Sequence, residues 1–102
     1  MSLKFVTINM FNMNLQSIDL SSNKLVSIPN EMVEIPQLRV LKLQNNEIVR
    51  MPTETYKLTN LTQLILSNNK LKAVFPHIDK LQNLEVLLLN DNEIAAVPAS
   101  IG

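Results

Sequence analysis

The chain has 102 residues, which is enough for one small domain, and hydrophobic residues make up 46% of it. Lys plus Arg equals Asp plus Glu at nine each, so the formal net charge is zero and no general attraction to nucleic acid or an acidic membrane follows. The absence of Cys excludes disulfide scaffolds, thiolate metal sites and cysteine nucleophiles, and it is compatible with a reducing compartment.

Residues 1–14 come first and do not share the pattern of the rest of the chain. Val6, Ile8 and Met10 alternate with polar residues as in a strand, so we predict an edge or cap segment over 1–14. Polar residues such as Thr7 interrupt any apolar run there, which argues against a signal peptide. No uncharged apolar run approaches about 18 residues, so we expect no transmembrane helix and predict a soluble, cytoplasmic domain.

From residue 15 onward, the chain repeats with a period of 23 residues. Aliphatic residues and Asn return at fixed positions in each copy: Leu15, Leu38, Leu61 and Leu84; Ile18, Leu41, Leu64 and Leu87; Leu20, Leu43, Leu66 and Leu89; Asn23, Asn46, Asn69 and Asn92; Leu25, Ile48, Leu71 and Ile94; Ile28, Met51, Val74 and Val97. Proline follows this motif, with one copy displaced by a residue: Pro29, Pro52, Pro76 and Pro98. The predicted repeats are therefore 15–37, 38–60, 61–83 and an incomplete 84–102.

This pattern, L-x-x-L-x-L-x-x-N-x-L, resembles the leucine-rich repeat family in its 23-residue form, which is typical of the intracellular, Ras-group-related class. The resemblance covers residues 15–102. It implies an α/β solenoid, in which each repeat gives a short strand to a right-handed, curved parallel sheet on the concave face. The chain then returns along the convex face in irregular, 3₁₀ or short helical structure.

Elementary physics favours the same architecture. One such repeat is too small to bury its own leucines, whereas stacked repeats bury them against each other. We predict that the recurring Asn turns its amide inward and bonds backbone groups that the turn leaves unpaired, since an unpaired buried group is costly. The residue after each Asn alternates in charge, which predicts attraction between neighbouring repeats: Lys24, Glu47, Lys70 and Glu93.

Side chains that alternate with the framework leucines should point outward from the concave sheet. They form the predicted interaction surface: Ser17, Asp19, Val40, Lys42, Gln44, Gln63, Ile65, Val86, Leu88 and Asn90. Asp19 and Lys42 are expected to lie close enough to pair, while Val40, Ile65, Val86 and Leu88 make the C-terminal side apolar. Such a cluster often marks a contact surface, although Val and Ile also suit any outward strand position.

The fourth repeat stops at Gly102 without a polar capping segment. Because solenoid ends need capping, we expect this end to expose Ile94, Val97 and Ile101. Either the chain is a fragment of a longer array, or another copy of the chain covers this end.

Catalytic chemistry has no support in the sequence. His77 is the only histidine and has no second His or Cys with which to share a metal, and one Gly cannot build a phosphate-binding loop. Neither a nucleophilic triad nor a paired-carboxylate cleft is evident, and aromatic residues for nucleic-acid stacking are scarce. We expect no catalytic, cofactor-binding or metal-binding residues, no cofactor and no nucleic-acid or membrane partner.

Two functional hypotheses remain. As the family resemblance implies, the chain would be a non-catalytic module that binds a protein or peptide on its concave sheet, as signalling scaffolds do. Alternatively, it would be a self-associating structural protein or fragment, in which the uncapped C-terminal end and the apolar patch form a homo-oligomer interface.

Overall fold

The computed structural model describes residues 16–95, and within this range four short strands form one parallel sheet. They are β1 (Ser17–Asp19), β2 (Val40–Lys42), β3 (Gln63–Ile65) and β4 (Val86–Leu88), and they lie side by side in chain order. Each strand pairs with the next at an offset of one repeat, so that Ile18, Leu41, Leu64 and Leu87 form one row. The register confirms the predicted parallel sheet of a leucine-rich repeat solenoid.

The framework residues pack into one continuous core beneath the sheet. Alternation along each strand turns the central residue inward, so Leu41 and Leu64 are fully buried while their neighbours face outward. The other large side chains that are completely covered come from the first three repeats: Leu25, Met32, Ile35, Leu38, Leu43, Ile48, Leu58, Leu61, Leu66 and Leu71. Leu87 in β4 is only half-buried, because no further strand of the described chain packs beyond it.

On the convex side, the chain returns through three 3₁₀ helices, Asn30–Glu34, Thr53–Lys57 and Ile78–Lys80. The first two begin directly after Pro29 and Pro52, where the missing proline N–H costs no ladder hydrogen bond. In the third repeat the displaced proline is followed by His77 in a left-handed conformation with φ of 60°, and the helix is shorter. This confirms the predicted 3₁₀ and irregular return.

A tight turn follows each strand, and it places one residue per repeat in the left-handed region. Ser22, Asn45, Asn68 and Asp91 have φ values of 59°, 62°, 57° and 59°. Asn and Asp tolerate this conformation better than other non-glycine residues, which explains how the chain makes three of these four turns without glycine, and Ser22 is the exception.

Two predicted features lie outside the described residues: the cap segment 1–14, and Val97 and Ile101 of the open end. The division into repeats 15–37, 38–60, 61–83 and 84–102 stays a prediction.

Candidate functional site

The recurring asparagines belong to the scaffold beneath the sheet. Asn46 accepts the N–H of Leu25 on Oδ1 at 3.1 Å and donates from Nδ2 to the carbonyl oxygens of Leu20 and Leu43 at 3.0 Å each. Asn69 and Asn92 repeat the same three bonds one and two repeats later. The predicted inward amide ladder is confirmed, and its polar atoms are occupied by backbone groups.

The outward face of the sheet carries the predicted interaction residues in two rows. One row is Ser17, Val40, Gln63 and Val86, and the other is Asp19, Lys42, Ile65 and Leu88. Val86 and Leu88 remain 36% and 43% exposed, and Leu88 lies directly beside Ile65. We call Ile65, Val86 and Leu88 the apolar patch. Val40 lies in the same row as Val86 but is separated from it by Gln63, so Val40 is not part of the apolar patch.

Asp19 and Lys42 lie side by side in the strand register, as predicted, but their side chains do not pair. Among the described residues these two side chains form no ion pair, and the Asp19 carboxylate accepts the N–H and hydroxyl of Ser21 at 3.0 and 2.6 Å. The Ser21 hydroxyl and N–H lower the pKa of Asp19, and the charge of Lys42 adds a smaller effect. The Lys42 ammonium is therefore left as an available cation on the concave face.

Past the strand ends, the predicted residues Gln44 and Asn90 continue the concave surface. The Asn90 side chain donates to the Asp91 carboxylate at 3.0 Å, which fixes its amide near the turn. Gln44 differs, because its Oε1 is shielded from solvent and has no hydrogen-bond partner among the described residues. An unsatisfied acceptor costs about 1–3 kcal/mol, so a nearby donor would stabilise this side chain.

The charged residues that follow each ladder Asn attract their neighbours in two of the three predicted pairs. Lys70 and Glu47 pair across adjacent repeats at 3.6 Å, as predicted. Glu93 forms its ion pair with Lys72, and this contact, with a smaller effect of the Lys70 charge, lowers the pKa of Glu93. Lys24 forms no ion pair within the described chain, so its attraction to Glu47 stays a prediction.

Ile94, the described member of the predicted open end, is half-buried and packs against the core cluster. Its equivalent Ile48 is fully buried. The difference marks the β4 side as the less covered end of the described core.

Within residues 16–95, no group of three or more His, Cys, Asp or Glu side chains is arranged to hold a metal ion. No helix in that range is both long and apolar enough to cross a bilayer. His77 is exposed and its ring meets the Tyr56 ring edge-on, with centroids 5.3 Å apart.

The structure also contains a surface groove that the sequence analysis missed. It measures about 470 Å³ and is lined by Val26, Ser27, Val49, Arg50, Lys72 and Ala73. A signal was present, since Val26 and Val49 occupy equivalent positions directly after the inward Leu25 and Ile48.

Comparison with known proteins establishes the family. Leucine-rich repeat models match residues 2–48 and 60–81, and the chain belongs to the leucine-rich repeat family. Domains of this family are generally protein-interaction modules.

Two solved structures are similar to this chain. A leucine-rich repeat protein of Leptospira interrogans is 34% identical with a TM-score of 0.90, over 98% of this chain and 26% of that one. The ectodomain of the Arabidopsis thaliana membrane receptor kinase GASSHO1/SCHENGEN3, in complex with CASPARIAN STRIP INTEGRITY FACTOR 2, is 29% identical with a TM-score of 0.79. That match covers 91% of this chain and 11% of the ectodomain, so the chain spans a small part of either protein. No curated protein sequence matches this chain.

Proposed function

We propose that this chain is a non-catalytic interaction module that binds a protein or peptide on its concave sheet. The observation that carries the proposal is the apolar patch, where Leu88 stands 43% exposed beside Ile65 and close to Val86. The same register holds Asp19 and Lys42 in the first two repeats, so the scaffold accepts charged residues there. Stacking alone gives no reason for a leucine at this position.

The energetics of the patch favour coverage by a partner. Full burial of a leucine side chain is worth about 1.5–3 kcal/mol, so covering the exposed part of Leu88 contributes roughly 1 kcal/mol. Val86 is 36% exposed and adds a similar area next to it. Contiguous exposed apolar residues bordered by polar ones are typical of a contact surface.

The polar residues around the patch define the chemistry of the ligand. Lys42 adjoins Ile65 in the same row and has no ion-pair partner among the described residues, so it suits a carboxylate or a carbonyl oxygen. Gln63 lies between Val40 and Val86, and Gln44 has an unsatisfied acceptor nearby. An extended peptide with aliphatic side chains and an acidic group one residue away would match this arrangement.

The cellular setting is part of the same proposal. We infer a cytoplasmic signalling scaffold from the resemblance to the intracellular repeat class and from the absence of Cys. The plant receptor structure supports the general mode, because that ectodomain is in complex with another molecule, CASPARIAN STRIP INTEGRITY FACTOR 2. That complex concerns the plant protein, and the ligand of this chain is defined only by the chemistry above.

A peptide-display selection tests the proposal. Random linear peptides are selected on the parent protein, and their affinities are then measured by fluorescence anisotropy with Leu88→Glu and Val26→Glu variants. These two sites make a matched pair, since they are aliphatic and 43% and 46% exposed. We expect Leu88→Glu to weaken binding about tenfold or more and Val26→Glu to leave it unchanged. Equal affinities for Leu88→Glu and the parent would remove the apolar patch from the site.

Self-association is the second candidate, and the half-buried residues of the β4 side favour it. Leu84, Leu87 and Leu89 are partly exposed, whereas their equivalents in the second and third repeats are buried. Another copy of the chain could cover this side. Light scattering over a range of concentrations, with Leu88→Glu and Ile101→Glu variants, separates the candidates. A concentration-independent monomer supports the first, whereas an oligomer broken by Ile101→Glu supports the second.

A further inference from the structure

A second exposed apolar area lies away from the concave sheet. Within the described residues four large hydrophobic side chains are exposed, and two of them, Val86 and Leu88, belong to the apolar patch. The other two, Val26 and Val49, line the groove of about 470 Å³ described above. We call this the flank groove, because it lies between the turn after each strand and the convex return.

The backbone beneath the flank groove is held in place by hydrogen bonds between repeats. The N–H of Val49 donates to the carbonyl oxygen of Val26 at 3.2 Å. The N–H of Lys72 donates to the carbonyl oxygen of Val49, also at 3.2 Å. Leu25 and Ile48, directly before the two valines, are fully buried. Hydrogen bonds between repeats and the buried neighbouring residues therefore hold the two valines side by side.

The charge of the flank groove has one sign. Its lining contains Arg50 and Lys72 and no carboxylate. Lys72 is already paired with Glu93. Arg50 forms no ion pair and no side-chain hydrogen bond within residues 16–95, so its guanidinium is available.

Arg50 also connects the flank groove to a neighbouring one. The second groove measures about 310 Å³, shares Ser27 and Arg50 with the first and continues to Met51, Pro52 and Thr53 at the start of a convex 3₁₀ helix. No carboxylate lines this second groove either. Arg50 thus lines both grooves.

We propose that the flank groove binds an extended peptide segment that carries both aliphatic and acidic side chains, supplied by a partner protein. Aliphatic side chains cover Val26 and Val49, and a carboxylate pairs with Arg50 through parallel N–H donors. A nucleic acid is a poor match, because one available guanidinium and no aromatic lining give neither phosphate tracking nor base stacking. The flank groove shares no residue with the concave surface, so this inference stands apart from the proposed function.

The test uses a fluorescent, end-blocked synthetic peptide of alternating Leu and Glu, and a matched peptide with Lys in place of Glu. Because the same peptide chemistry suits the concave surface, every protein in the test carries Leu88→Glu, which removes that surface from the comparison. Anisotropy titrations compare this Leu88→Glu protein with versions that also carry Arg50→Glu, Arg50→Lys or Val26→Glu. Lys80→Glu is the control for charge, because Lys80 is an exposed cation without an ion pair in the described chain. Circular dichroism verifies the fold of every variant.

We expect the Glu peptide to bind the Leu88→Glu protein and the Lys peptide to fail. Adding Arg50→Glu or Val26→Glu should weaken binding about tenfold, with a smaller loss for Arg50→Lys, while adding Lys80→Glu changes the affinity by no more than about twofold. Three results would overturn the proposal: no binding to the Leu88→Glu protein, unchanged binding when Arg50→Glu is added, or an equal loss when Lys80→Glu is added.

Discussion

The side chain of Asn69 links its own repeat to the preceding one by hydrogen bonds to the backbone of that preceding repeat. Its Nδ2 donates to the carbonyl oxygen of Leu43 at 3.0 Å, and its Oδ1 accepts the N–H of Ile48 at 3.1 Å. A third bond, to the carbonyl oxygen of Leu66 at 3.1 Å, closes the turn of its own repeat. One amide thereby fixes both a turn and the stacking of adjacent repeats.

Asn69→Ala should therefore lower the free energy of unfolding by about 3 kcal/mol, since it leaves buried backbone donors and acceptors without partners. Urea denaturation provides the measurement. Asn83→Ala is the control, because Asn83 also donates to a backbone carbonyl, that of Thr59 at 2.9 Å, but on an exposed surface. If Asn69→Ala lowers the free energy of unfolding no more than Asn83→Ala does, Asn69 does not hold adjacent repeats together.

Ser22→Asn should stabilise the protein by about 0.5 kcal/mol. Ser22 has φ of 59°, a left-handed conformation that Asn adopts more readily than Ser, and Asn already occupies the equivalent positions Asn45 and Asn68. Thermal unfolding of this variant is compared with Ser27→Asn, a serine in the same repeat without a positive φ. A stability gain shared by both substitutions would argue against relief of backbone strain.

Much of the fold could be predicted because the repeat places each leucine at a position that stacking must bury. Leu41 and Leu64 illustrate this, since a shift of one residue would turn either leucine outward. The Asn ladder was predictable for the same reason, because a turn that recurs every repeat leaves the same backbone groups unpaired.

The contacts of Asp19 and the flank groove could not be predicted. The first depends on competition between alternative contacts, and the second is a surface that forms only when repeats stack. Asp19 could bond Ser21, two residues away, or Lys42 on the next strand. The bonds to Ser21 form instead, because they do not require the long Lys42 side chain to lose conformational entropy. Val26 and Val49 become neighbours only once the repeats are stacked, so the only sequence signal for the flank groove is their equivalent position in two repeats.

Asp19 provides a prediction about pH. Its pKa is lowered in the folded protein, so its contribution to stability is present above the ordinary aspartate pKa and is lost as the pH falls through the lower, folded value. Ser21→Ala should raise the pKa of Asp19 more than Lys42→Ala does, because the Ser21 hydroxyl, which alanine lacks, is the largest cause of the lowered pKa. Carboxyl NMR titration of both variants measures this. A larger rise with Lys42→Ala would mean that the charge of Lys42 is the main cause.

Substitution of equivalent leucines by alanine should lower the stability by different amounts. Leu64→Ala should lose about 3–4 kcal/mol of stability, because Leu64 is fully buried between two neighbouring strands. Leu87→Ala, in the same row, should lose roughly half as much, since Leu87 is only half-buried. Chemical denaturation of both variants at low protein concentration gives the comparison. Equal losses would show that something covers the β4 side in solution.

NMR mapping of a display-selected peptide onto the protein decides whether the concave sheet is the binding surface. Amide chemical shifts are recorded during titration of the isotope-labelled parent. We expect the largest shift changes along β3 and β4, at Ile65, Val86 and Leu88, with little change at the convex 3₁₀ helices. Largest changes on the convex side, with β3 and β4 undisturbed, would contradict the concave sheet as the binding surface.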